Sequence, residues 1–86
     1  MTDRAALVEL DMIYPYKNNI DALFEWANQW KIRIVTAGTL KDTAVVRVPF
    51  EQYKLLWGHE PEADTIDGVP EGLEWLIDGV HVLELE

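Results

Sequence analysis

The spacing of apolar residues changes period along this chain, and each change marks a new element. Ala6, Val8, Leu10 and Met12 alternate with Glu9 and Asp11 between them, the pattern of a strand with one buried face. From Ile20 the interval becomes three and four through Ile20, Leu23, Phe24 and Ala27, with Trp30 or Lys31 closing the stripe. That spacing predicts an amphipathic helix of about three turns, capped by Asn18 or Asn19. Trp26 lies off this stripe and is expected at the helix edge. Residues 32–40 return to strand character, with Ile32, Ile34 and Thr36 on one face and Arg33, Val35 and Ala37 on the other. Lys41-Asp42 predicts a turn, and the β-branched run Thr43 to Val48 the second arm of a hairpin. Pro49 suits the first turn of a second helix, where its missing N–H costs nothing. Phe50, Tyr53, Leu56 and Trp57 would face inward, and Gly58 is placed to end the helix.

The remainder predicts an acidic loop over 59–69, a proline-opened short helix over 70–77, a turn at Asp78-Gly79 and a last strand from Val80 to Leu85. The order β-α-β-β-α-β, with the short helix before the last strand, predicts a single α+β domain over residues 1–86. The expected architecture is a ferredoxin-like split βαβ: a four-stranded antiparallel sheet with two main helices on one face. The opposite sheet face is then open to solvent. Arg33, Val35, Ala37, Val45 and Arg47 are its expected residues, a partly apolar mix that suits contact, although scattered apolar surface is also ordinary.

Charge divides the chain sharply. Residues 1–54 hold seven acids and seven bases, which cancel; residues 55–86 hold nine acids and no Lys or Arg, so the whole net charge of −9 lies there. Such a field repels phosphate backbones and anionic membranes and attracts basic surfaces. The four tryptophans lack the basic stripe that nucleic-acid binding needs. Neither direct nucleic-acid binding nor membrane association is expected. The N-terminus shows no basic stretch followed by an apolar run, and no apolar run approaches the ~20 residues of a spanning helix. A soluble, cytoplasmic protein is the expectation.

The chain contains no Cys and no Ser, which removes disulfides and the two commonest covalent nucleophiles. His59 precedes Glu60, Glu62 and Asp64, and nitrogen with carboxylates can collect a divalent cation. The calcium-loop pattern fails, because Thr65 stands where glycine is needed when ligands start at Glu60. A solvated acidic loop is expected, with no metal and no cofactor. His81 is expected as a packing or edge residue of the last strand. Glycines 38, 58, 68, 72 and 79 are scattered and form no phosphate cradle. No catalytic residue is assigned, and enzymatic activity is not expected.

From Trp30 to Leu85 the chain resembles the propeptides of subtilisin-like and sedolisin-like serine peptidases. The matching stretches are Val45-Val46-Arg47-Val48, then Phe50 to Gly58, then Val69-Pro70-Glu71-Gly72-Leu73 and Ile77 to Leu83. The resemblance implies a split βαβ fold and a role as inhibitor or folding assistant. Such domains pack their open sheet face on two surface helices of the peptidase, and acids near helix N-termini are favoured by the dipole. With no catalytic domain attached, this chain would act in trans.

The leading expectation is therefore a non-catalytic protein-binding domain whose partner, a subtilisin-like peptidase being the candidate, offers a basic or helix-N-terminal surface. Arg33, Val35, Arg47, Glu60, Glu62, Asp64 and Asp67 are the expected contacts. An acidic decoy that imitates nucleic-acid phosphates and blocks a basic protein groove is the alternative. A hydrolytic or metal-dependent centre at His59 is a third reading.

Overall fold

In a computed structural model, residues 4–13, 20–37 and 43–86 are described, and they form an α+β fold. Its elements are β1 (Ala5–Met12), α1 (Ile20–Gln29), β2 (Arg33–Ala37), β3 (Thr43–Pro49), α2 (Phe50–Trp57), β4 (Thr65–Asp67) and β5 (Ile77–Leu85). The expected Asn18 or Asn19 cap and the Lys41-Asp42 turn lie outside the described residues. The strands pair antiparallel in the order β2-β3-β1-β5-β4. It follows that β1 and β2 run the same way with β3 between them, crossed over by α1. Likewise β3 and β5 run the same way with β1 between them.

The alternation in β1 works as the sequence predicts. Ala6, Val8, Leu10 and Met12 are buried, and so are Ala44, Val46 and Val48 of β3 and Val80 and Val82 of β5. These side chains share one cluster with Leu23, Trp26 and Ala27 of α1 and Tyr53 of α2, so both helices cover the same sheet face. Fully burying a side chain such as Leu10 or Val46 contributes roughly 1.5–3 kcal/mol. Gly58 ends α2 at φ 82°, its N–H bonded to the Lys54 carbonyl at 2.8 Å; the left-handed backbone explains the glycine.

The structure corrects the expected architecture in several places. The sheet has five strands among the described residues, because Thr65-Ile66-Asp67 pairs with β5 inside the segment expected to be loop. Three residues are too few to establish a period. Within residues 70–77, turns at 71–72 and 74–76 replace the expected helix. Gly72, at φ 90°, interrupts helical backbone, and the bonds Leu73 N–H to Pro70 and Leu76 N–H to Leu73 each span three residues. β5 consequently starts at Ile77, and Asp78-Gly79 lies within it rather than in a turn. At Gly79 a Cβ would stand 2.6 Å from the Asp11 carboxylate, so any larger residue at this cross-strand position displaces that exposed side chain. Pro49 closes β3 and caps α2 from outside the helix, at φ −57° and ψ 143°.

Two side chains exchange roles on α1. Trp26 is buried, whereas Phe24 is 50% exposed. The buried positions are Leu23, Trp26 and Ala27, three and four apart. Phe24, turned about 100° from Leu23, projects instead beside Ile32 and Ile34 at the β2 end of the sheet.

Candidate functional site

The acidic segment after α2 is built onto that helix. Tyr53 and Trp57 are four residues apart and share a helix face; their rings stack at 4.3 Å between centroids. The buried Tyr53 hydroxyl donates to the Asp67 carboxylate, and the Trp57 indole N–H donates to the Gly68 carbonyl at 2.6 Å. His59, just past the left-handed Gly58, sets its ring edge-on to Tyr53. Its Nε2 lies 3.1 Å from Asp67 and its Nδ1 2.9 Å from the Glu60 carbonyl. Asp67 also accepts the Gly68 N–H at 2.8 Å. A single carboxylate thus ties together a helix, the segment after it and β4.

This arrangement determines protonation. Both His59 ring nitrogens face acceptors, which only the imidazolium can satisfy by donating twice. The Glu60 carbonyl and then Asp67 accordingly raise the His59 pKa above its usual 6.5. Burial pushes Asp67 upward, but the bonds from Tyr53, Gly68 and His59 outweigh it and leave the pKa below 3.8. Burial and the bond to Asp67 raise the Tyr53 hydroxyl far above its normal range, so it remains a donor. The chemistry of the cluster is that of a charged clasp.

The expected contact residues separate into two groups. Glu60, Glu62 and Asp64 are exposed at the β4 side. Glu60 meets Lys54 at 3.5 Å, and Asp64 meets His81 Nε2 at 3.2 Å, exposed pairs worth about 0–1 kcal/mol. Asp67 belongs to the clasp rather than to the outer surface. Arg33, Val35 and Arg47 gather at the other end of the sheet and line one hollow with Leu7, Ile34 and Glu86. Three strands separate β2 from β4, so the groups stand about 19 Å apart, at four strand spacings of ~4.8 Å.

The open sheet face also differs from the simple alternation. Arg33 pairs with Arg47 and Ile34 with Val46, but Thr36, not Val35, pairs with Val45. Val35 is the extra residue of a bulge, which shifts the phase. Thr36 therefore joins the open face, while Ala37 returns to the side of buried Ala44. Beyond His81 on this face lies Ile66 of β4, 85% exposed. Periodicity could not reveal Ile66; its one sequence signal is the β-branched Thr65-Ile66 pair among acids.

Among the described residues, no three His, Asp or Glu side chains are placed to hold a metal ion, and no helix is long and apolar enough to cross a membrane. No family model, curated protein or solved structure matches this chain.

Proposed function

We propose that this chain is a non-catalytic protein-binding domain of ferredoxin-like, propeptide-like type that acts on a partner with a basic or helix-N-terminal surface. A subtilisin-like peptidase is the partner of first choice. The carrying observation is that the acidic segment is pre-organised: Tyr53, Trp57 and His59 hold it through Asp67 and Gly68 while Glu60, Glu62 and Asp64 face outward. A segment already ordered loses less conformational freedom on association. Ile66 supplies an apolar centre beside these acids, the usual composition of a contact with a polar rim. The strand order β2-β3-β1-β5 with α1 and α2 as crossovers supports the split βαβ assignment, with β4 as an added edge strand.

Purified protein added in trans should slow substrate turnover by at least one member of a panel of subtilisin-like peptidases. The Glu60→Gln, Glu62→Gln, Asp64→Asn variant should associate at least about tenfold more slowly at low salt, the scale of electrostatic steering. Full turnover by every peptidase in the panel would refute the inhibitory role.

A further inference from the structure

β2 has no strand beside it on its outer side among the described residues. An edge of this kind presents backbone N–H and C=O groups that another strand can meet. A hollow lies on each side of it. On the helix side, Phe24, Ala27, Asn28, Ile32 and Ile34 line one of about 240 Å³. On the open side, the hollow shared by Arg33, Val35 and Arg47 measures about 390 Å³. Successive side chains of an added strand point to opposite faces, so neighbouring residues would enter the two hollows in turn.

The hollows differ in chemistry. The first is mainly aliphatic and aromatic, with half-exposed Phe24 at its rim. The second presents two guanidinium groups. Arg33 and Arg47 are cross-strand partners, and like charges set opposite one another are destabilising. Glu86 bonds Arg47 and lines this hollow, which shows a carboxylate seated there; Arg33 has no ion pair among the described residues.

We infer that the β2 edge is a docking strip for an extended peptide in which acidic and apolar residues alternate. The acid lies toward Arg33 and Arg47, and the apolar residue toward Phe24 and Ile34. A second copy of the chain is the poorer occupant. Its β2 edge would bring another Lys31 and Arg33 to the junction, and the bulge at Val35 keeps the edge from lying flat against its twin. This site is independent of the acidic surface at the opposite edge.

The test is an NMR titration of the full chain with a short, end-capped peptide alternating Glu and Leu. Shifts should concentrate at Phe24 and residues 33–37 and saturate with a Kd below about 1 mM. Replacing Glu by Lys in the peptide should abolish them. Methylating alternate backbone nitrogens should weaken binding at least about tenfold, because ladder bonds are lost. Arg33→Glu should weaken binding by a similar factor with the melting temperature maintained, since Arg33 is exposed and the change places opposite charges across β2 and β3. The Glu60→Gln, Glu62→Gln, Asp64→Asn variant should bind the peptide as the parent does. Undiminished binding after N-methylation or Arg33→Glu, shifts centred on α2 and β4, or no shifts at millimolar peptide would each overturn the inference.

Discussion

Lys31 occupies the left-handed region at φ 56° where α1 ends. The Ile32 N–H bonds the Ala27 carbonyl and the Lys31 N–H bonds that of Asn28, the paired bonds of a Schellman ending whose left-handed position is usually glycine. A side chain there costs roughly 1–2 kcal/mol, partly offset by the entropy glycine loses on folding. Lys31→Gly should therefore stabilise the protein by about 0.5–1 kcal/mol, raising the melting temperature by several degrees. His59 gives a second test at this scale. Its raised pKa means its pH-dependent stabilisation is fully present below 6.5 and is lost as pH rises through the folded value. Asp67, lowered, contributes above 3.8 and loses that contribution as pH falls through its folded value. The melting-temperature gap between the parent and His59→Gln should thus be widest between pH 3.8 and 6.5 and narrow on both sides. A gap that narrows at neither end would show that the clasp carries no charge-dependent stability.

Among the elements, those with a repeated period were legible in the sequence. β1, β3 and α2 emerge from alternation, β-branching and the Gly58 ending, because each buries one face along its length. α1, β2 and the body of β5 were legible in the same way, and what local pattern missed depended on distant partners. β4 exists because β5 offers a neighbour for Thr65 to Asp67, and the bulge at Val35 arises in the pairing with β3. Phe24 and Trp26 stand about 200° apart on the helix, each completing a three-and-four stripe with Leu23 and Ala27, and only the docking of α1 decides which is covered. The candidate site was half legible: the acids were evident, but the clasp joins residues of separate elements that no local pattern links. Tyr53→Phe isolates that clasp. Losing a bond to an ionised carboxylate should cost about 1.5–3 kcal/mol, and amide exchange over residues 59–68 should accelerate more than in β1. Equal acceleration throughout would mean that the tyrosine stabilises the whole fold without fastening the segment.

Across the whole molecule, the topology turns a division of charge along the sequence into one across the sheet. β2 and β3 carry Arg33 and Arg47 and no acid; β4 and β5 carry Asp67, Asp78 and Glu84 and no Lys or Arg. Acids crowded at one side repel one another, and salt screens that repulsion. The melting temperature should rise with added sodium chloride, and should rise less in the Glu60→Gln, Glu62→Gln, Asp64→Asn variant, which should itself be no less stable than the parent. Asp67→Asn should instead destabilise, since it weakens the clasp; a rise in its melting temperature would contradict the anchoring role.

A body charged in this way behaves as an electric dipole. In the field of an approaching basic surface it experiences a torque before any contact, which turns the β4 side forward and leaves the β2 side trailing. A partner seated at the leading edge would leave the trailing edge free, about 19 Å away by the strand spacing. With both edges occupied, the domain would act as a spacer, holding a folded partner and an extended peptide at a distance set by the width of its sheet.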